Sequence, residues 1–320
     1  MARMSGPPPL VVIAGPTATG KTDLAIRLAE SMMGEGHPSV VISADSRQVY
    51  RGLDIGTAKV SVADRGRVPH HGLDLVEPDA PFTVADFATH ARAVLDEVRH
   101  TPGGLAILAG GTGFYLRAVG RGLDTDALPS DPAIRARLEA EAAADGLAPL
   151  LARLDELAPI RAATVDRANP RRVVRALEIA ELAGDTPLPE ALGYGGPVTW
   201  IGLDLERTAH RRLIDARARG QFEAGLIEEA RALRDRFDPA LPAFSAIGYR
   251  EAWAVLDGEL ELEAAIDLDA QRNAAFAKRQ RTWFRSETDI EWLDVTAVDP
   301  LPLAMARARH IADARYPARP

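Results

Sequence analysis

The chain has 320 residues, of which 47% are hydrophobic and 26% are charged, a composition typical of globular rather than disordered proteins. It contains no cysteine, which excludes disulfides, thiolate zinc sites and cysteine nucleophiles. The net charge of −8 argues against nucleic-acid binding by the surface as a whole, although it does not describe local patches. No apolar run is long enough to span a membrane, and we expect a cytoplasmic protein.

The N-terminal third of the chain alternates strand-like and helix-like segments. Short apolar runs at 10–14, 40–43 and 105–109 predict buried strands, and helical spacing of apolar residues predicts helices at 22–33 and 84–99. Strands that alternate with helices are typical of an α/β fold, in which a doubly wound parallel sheet carries helices on both faces.

The pattern changes after this part of the chain. Residues 131–183 are rich in Ala, Arg, Glu and Leu with helical periodicity, and a Gly- and Pro-rich stretch leads from them to a strand-like run at 198–203. We therefore predict a first core segment at 1–123, a helical insertion domain at 124–195, and core completion with C-terminal helices at 196–320.

Residues 15–22 read GPTATGKT and match the P-loop pattern G-x-x-x-x-G-K-[ST] between a predicted strand and a predicted helix. Backbone amides and the helix N-terminus would hold an anion, Lys21 would add a full charge, and Thr22 would offer a hydroxyl to Mg²⁺. The candidate phosphate-binding residues are Gly15, Pro16, Thr17, Ala18, Thr19, Gly20, Lys21 and Thr22. The pattern indicates a polyphosphate, for which a nucleoside triphosphate such as ATP is the default, but it does not identify the attached group.

A carboxylate follows the second predicted strand. Residues 40–45 read VVISAD, and ligands of doubly wound sheets bind beyond the carboxyl ends of the strands. We therefore expect Asp45 to face the bound polyphosphate. A turn or helix-capping aspartate is one alternative, and a carboxylate that binds Mg²⁺ through water, as in small-molecule kinases, is another.

The residues that follow resemble those of one enzyme family. Residues 45–59 read DSRQVYRGLDIGTAK, which closely resembles the signature of the bacterial tRNA dimethylallyltransferases, also called tRNA isopentenyltransferases. Further segments fall in the same order: PHHGLD (69–74), VADF (84–87), GGTGFYL (110–116), RRVVRALE (171–178), IGYRE (247–251) and AKRQRTWFR (277–285). The resemblance extends over nearly the whole chain.

The resemblance implies transfer of a dimethylallyl group from dimethylallyl diphosphate to N6 of the adenine immediately 3′ of a tRNA anticodon. The products would be N6-isopentenyladenosine and diphosphate. It implies that the loop at 15–22 binds dimethylallyl diphosphate with Mg²⁺, that Asp45 accepts the N6 proton, and that Thr17 and Arg217 hold the leaving diphosphate. It also implies that the insertion grips the anticodon stem-loop. We expect a monomer, and the sequence leaves open whether ATP also binds the loop.

Further positions match tRNA contacts of the family. They are Asp45, Ser46, Arg47, Gln48, Thr112, Arg135, Arg171, Arg172, Val173, Val174, Arg175, Lys278, Arg281 and Arg285. Arg171 and Arg175 have the i,i+4 spacing of one helix face, which suits backbone phosphates. Residues 270–285 contain basic and aromatic side chains without Asp or Glu, so they predict a local basic patch. Solvated helix arginines are the alternative for this patch and for Arg217.

Other readings of the sequence remain open. The adjacent His70 and His71 do not predict a metal site, because neighbouring side chains of an extended segment point apart.

An ATP-dependent small-molecule or nucleotide kinase would share the loop and Asp45, but it would not explain residues 46–59 or the basic patch. A non-catalytic RNA-binding NTPase switch is the third possibility, and it predicts that Asp45→Asn leaves function intact.

Overall fold

A computed structural model describes residues 6–125, 129–185 and 191–315. Within these ranges six strands form a single, wholly parallel sheet in the order β3-β2-β4-β1-β5-β6. The strands are β1 (Leu10–Ala14), β2 (Ser39–Ser43), β3 (His70–His71), β4 (Leu105–Gly110), β5 (Val198–Asp204) and β6 (Glu291–Asp294). The four strands predicted at 10–14, 40–43, 105–109 and 198–203 are confirmed to within one residue at each end. The two that were not predicted, β3 and β6, are short, partly exposed edge strands without an apolar run.

Helices follow most strands. They are α1 (Lys21–Gly34), α2 (Val62–Arg67), α3 (Val84–His100), α4 (Gly113–Gly120), α5 (Pro132–Asp145), α6 (Ala148–Leu157), α7 (Pro159–Thr164), α8 (Pro170–Ala183), α9 (Arg207–Glu223), α10 (Leu226–Arg234), α11 (Tyr249–Leu256), α12 (Leu262–Phe284) and α13 (Leu301–Arg315), with a short 3₁₀ helix at Pro242–Ser245. The predicted helices at 22–33 and 84–99 correspond to α1 and α3. A capping box between Thr83 and Asp86 begins α3.

The central strand β1 is completely buried, as expected for a parallel sheet covered on both faces. Its alternate residues enter two separate apolar cores. Val11 and Ile13 pack with residues of α1 and α13, whereas Leu10 and Val12 pack with residues of α3, α4, α9 and α12. The doubly covered sheet predicted from the alternation of strands and helices is therefore present.

The chain divides into two compact units, Met1–Gly122 with Gly193–Pro320, and Leu123–Leu192. The first unit contains the sheet. The second is helical, and its described part consists of α5 to α8 around a small apolar core that includes Leu138, Leu154 and Leu177. In the described ranges, no helix is both long enough and apolar enough to cross a lipid bilayer.

Candidate active site

The loop between β1 and α1 has a tight backbone that requires glycine. Gly15 has φ 149° and Gly20 has φ 83°, values in the region that glycine adopts most readily. A Cβ atom on Gly15 would lie 2.5 Å from the carbonyl oxygen of Leu203 in β5, so the neighbouring strand leaves no room for a side chain. The buried Thr19 hydroxyl donates to the carbonyl oxygen of Pro16 at 2.9 Å and fixes the turn.

Lys21 begins α1 and turns back over this loop. Its Nζ donates to the carbonyl oxygen of Pro16 at 2.5 Å. Burial and, to a smaller extent, the Arg217 guanidinium lower the pKa of Lys21, the negative charge of Asp45 opposes both, and the resulting pKa is about 7. The amine is thus close to half-protonated at neutral pH, and an added anion would favour its charged form. Thr22 is exposed at the same end of the helix, and Ala18, at φ 59°, completes the loop.

Thr17 is held at three different atoms. Its backbone N–H donates to Gln280 Oε1 at 2.8 Å, and its carbonyl oxygen lies 2.8 Å from His210 Nε2. Its hydroxyl oxygen accepts from Arg217 Nη1 at 3.0 Å. A hydroxyl has one proton and two lone pairs, so acceptance from Arg217 leaves the proton free to donate to another oxygen.

Arg217 differs from the other arginines of α9. Arg211 pairs with Asp215 and Arg219 pairs with Glu263 at the surface. Burial lowers the pKa of Arg217, while the charges of Asp45 and Asp269 raise it, and its Nε has no hydrogen-bond partner among the described residues. A desolvated guanidinium with an unused donor is suited to binding an oxyanion.

Asp45 follows β2 at the same edge of the sheet. Its Oδ1 accepts from the backbone N–H of Arg47 at 2.8 Å, so the turn interpretation is correct for one carboxylate oxygen. Asp45 is also close enough to Lys21 and Arg217 to influence the pKa of each. The structure therefore brings together Asp45, Lys21, Arg217 and, through Arg217, Thr17.

Thr112 joins the ends of β2 and β4. Its Oγ1 accepts from the backbone N–H of Ser46 at 2.9 Å, and its own N–H donates to the carbonyl oxygen of Ala44 at 3.1 Å. A Cβ on Gly110 would lie 2.1 Å from that same carbonyl oxygen, so this close approach requires glycine. Thr112 thereby positions the backbone beside Asp45.

Two of the predicted tRNA-binding residues that follow Asp45, Arg47 and Gln48, make contacts inside the protein. Gln48 is 7% exposed, accepts from Ser43 Oγ at 2.8 Å and donates to the carbonyl oxygen of Thr57 at 3.1 Å. Its amide is therefore occupied in shaping the segment, and a direct contact with a base would require these bonds to break. Arg47 is partly exposed and donates to the carbonyl oxygen of Pro242 at 3.1 Å.

Sequence reasoning missed the residues that hold the later part of the segment 45–59 in place. The Glu229 carboxylate accepts the backbone N–H groups of three consecutive residues at 2.8–3.2 Å, namely Asp54, Ile55 and Gly56. It also accepts the Tyr249 hydroxyl at 2.7 Å. Tyr249 lies in the IGYRE segment, which was a signal for its importance, whereas Glu229 is one of two acids on α10 and had no such signal.

His70 and His71 form β3 and pair with Val41 and Ile42 of β2. Burial lowers the pKa of both imidazoles. No group of three or more His, Asp or Glu side chains in the described residues could hold a metal ion.

The predicted basic patch on α12 is split by the structure. Lys278 and Arg285 are exposed. Arg281 is 15% exposed, and its Nε and Nη2 donate to Asp204 Oδ1 at 2.9 and 2.5 Å. Because Asp204 already neutralises its guanidinium in a half-buried position, Arg281 does not belong with the two exposed cations.

The predicted tRNA-binding residues of the helical unit also differ from one another. Val173 and Val174 are buried in the core of that unit, so their side chains are not available for a surface contact. Arg171 and Arg172 are exposed at the first turn of α8. The remaining two, Arg135 and Arg175, share one acid: Arg135 Nε is 3.0 Å and Arg175 Nη1 is 2.7 Å from Oε2 of the fully buried Glu178.

Comparison with known proteins identifies relatives along most of the chain. A family model described as IPP transferase matches residues 48–287. The chain is 46% identical over 300 residues to a tRNA dimethylallyltransferase of Anaeromyxobacter dehalogenans, covering 92% of this chain and 97% of that protein. It is 43% identical over 294 residues to that of Geobacillus kaustophilus, covering 90% of each. The crystal structure of the tRNA isopentenylpyrophosphate transferase from Bacillus halodurans matches with a TM-score of 0.67 at 39% identity, covering 96% of both chains.

Proposed function

The chain belongs to the IPP transferase family of tRNA dimethylallyltransferases, and we propose that it transfers a dimethylallyl group from dimethylallyl diphosphate to N6 of an adenine in tRNA. The adenine is the one immediately 3′ of the anticodon. The observation that carries the proposal is the convergence of a carboxylate, Asp45, with the cations Lys21 and Arg217 at one edge of the sheet. The reaction needs both, because a proton must leave the nucleophile while negative charge grows on the leaving group.

In the proposed reaction a bond forms between adenine N6 and the allylic carbon, and the bond between that carbon and the bridging oxygen breaks. The N6 proton passes to the Asp45 carboxylate. The electron pair of the broken bond stays on the diphosphate. The Thr17 hydroxyl donates a hydrogen bond to that group and keeps its proton, since its oxygen already accepts from Arg217. Arg217 and Lys21 stabilise the added charge as it develops.

Mg²⁺ fits the same end of α1. This ion takes few protein ligands, and substrate phosphates and water commonly complete its coordination shell. The exposed hydroxyl of Thr22 is therefore a suitable ligand even without an acidic cluster beside it. When bound, the ion would neutralise part of the charge on the diphosphate.

The tRNA would be bound by cations that remain exposed. In the helical unit these are Arg171 and Arg172, and on α12 they are Lys278 and Arg285. Phosphate contacts of this type position a nucleic acid without reading its sequence. The target adenine must leave its stack to reach Asp45, as in other enzymes that modify a base.

The test is incubation of the full-length protein with unmodified tRNA, Mg²⁺ and dimethylallyl diphosphate, followed by mass spectrometry of the nucleosides. We expect a C5H8 gain on one adenosine, with loss of this product in Asp45→Asn and retention of tRNA binding. Asp313→Asn is the matched control, because Asp313 is exposed on α13, a helix that contributes no residue to the candidate site. Hydrolysis of ATP or phosphate transfer to a small acceptor, without any C5H8 gain, would instead establish the kinase alternative.

A further inference from the structure

A row of buried and half-buried polar groups runs from the end of β5 to the loop after β1. Asp204 accepts from Arg281, whose Nη2 lies 3.1 Å from His210 Nδ1. His210 is 3% exposed, and its Nε2 lies 2.8 Å from the carbonyl oxygen of Thr17. None of these three residues has a role in the proposed reaction so far.

The partners of His210 determine where its proton lies. A guanidinium has only N–H donors, so Nδ1 facing Arg281 must act as an acceptor. A backbone carbonyl only accepts, so Nε2 facing Thr17 must carry the proton. Burial lowers the pKa of His210, and the charges of Arg281 and Lys21 act in the same direction, whereas the bond to Thr17 and the charge of Asp204 raise it. The imidazole is therefore neutral, with its proton on Nε2.

We propose that Asp204, Arg281 and His210 act as positioning residues that hold the Thr17 peptide in the orientation required for its hydroxyl to reach the leaving diphosphate. The inference rests on the proposed function, because the role of the Thr17 hydroxyl comes from it. Arg281 is thereby assigned to the organisation of the site instead of to tRNA binding.

Geometry explains why this arrangement would matter. Gln280 holds the Thr17 N–H and also donates to the carbonyl oxygen of Gly111 at 2.9 Å. The peptide groups on the two sides of the Thr17 Cα are thus held by α12 and by α9, at Gln280 and His210. Loss of either contact leaves Thr17 free to rotate. A misplacement of about 1 Å in a reacting group can lower turnover by about 100-fold.

The first test requires no turnover. ¹⁵N NMR of histidine-labelled full-length protein at pH 7.5, with the His210 signal assigned by its loss in His210→Gln, should show a neutral ring protonated on Nε2. A proton on Nδ1, or a doubly protonated ring, would overturn the proposal.

The second test uses a matched pair of variants. The amide nitrogen of Gln can occupy the place of His Nε2, so His210→Gln should retain the donor to Thr17. The side-chain oxygen of Asn occupies the place of Nδ1, so His210→Asn should keep the acceptor for Arg281 but lose that donor. We expect kcat to fall by about 10- to 100-fold in His210→Asn and by at least threefold less in His210→Gln, which loses only the contact with Arg281, with KM for tRNA unchanged in both.

A purely structural role for His210 would lower kcat equally in both variants, in step with their melting temperatures, and that result would refute the proposal. Failure of the proposed function is recognised separately, because the wild-type protein would then show no C5H8 gain on tRNA. In that event the NMR result and the affinity of the two variants for inorganic diphosphate decide the inference, with weaker binding expected only for His210→Asn.

Discussion

Lys21 allows a direct thermodynamic test of the anion site, because its pKa of about 7 lies in the range where small changes in charge are measurable. In this test, the binding of inorganic diphosphate is measured at a constant Mg²⁺ concentration between pH 6 and pH 9. A polyanion beside the amine favours its charged form, so binding must raise the pKa of Lys21 and draw a proton from solvent.

The magnitude follows from the fraction of Lys21 that is already protonated. With a pKa of about 7, about 10% of the free protein carries the proton at pH 8 and about 90% carries it at pH 6. If the bound form is almost fully protonated, binding takes up about 0.9 proton at pH 8 and about 0.1 at pH 6. The affinity should fall by about tenfold for each pH unit above 7, up to the pKa of the complex.

Isothermal titration calorimetry in buffers of different ionisation enthalpy measures this uptake directly. Lys21→Arg is the matched control, because arginine stays protonated throughout and the phosphate protons of the ligand contribute equally in both proteins. Uptake of the same number of protons by wild type and Lys21→Arg at pH 8 would refute the prediction that Lys21 becomes protonated when diphosphate binds.

Three further outcomes are expected. Lys278→Gln should weaken tRNA binding and reduce the magnitude of the slope of log affinity against log salt concentration by about 1 in filter-binding assays, whereas Arg281→Gln should leave that slope unchanged. Arg281→Gln should instead lower kcat in single-turnover assays. Equal slopes for the two variants would contradict the different roles given to Lys278 and Arg281. Glu229→Gln should lower the free energy of unfolding by about 2–3 kcal/mol, because an amide nitrogen cannot accept backbone N–H groups, while the exposed neighbour Glu228→Gln should change it by less than about 0.5 kcal/mol in urea titrations. Gly110→Ala should cost about 3 kcal/mol or more in the same assay, since its Cβ would meet a backbone carbonyl 2.1 Å away, and a near-neutral result would contradict the close packing of β2 and β4.

Local patterns were sufficient for much of the fold. The strands β1, β2, β4 and β5 are internal to the sheet, so they are mostly buried and appear in the sequence as largely apolar runs. The edge strands β3 and β6 contain no fully buried residue, and their sequences, HH and EWLD, show neither an apolar run nor a clear alternation. They form because a neighbouring strand offers unpaired backbone groups, which a local sequence window does not record.

The same division holds for the candidate site. Residues 15–22 and Asp45 were identifiable because each depends on a few adjacent residues and on a position at the end of a strand. The contacts of Thr17 with Gln280 and His210 were not identifiable, since these two residues come from helices far along the chain.

By itself, therefore, the sequence determined the alternation of strands and helices, the phosphate-binding pattern and the family. Only the tertiary structure decided what each cation does. Arg281 and Lys278 lie on the same helix and have similar local surroundings in the sequence, yet one meets Asp204 while the other faces solvent. The reason is physical: a charge is neutralised by whatever opposite charge folding brings within a few ångströms, and the partner of Arg281 is 77 residues away along the chain.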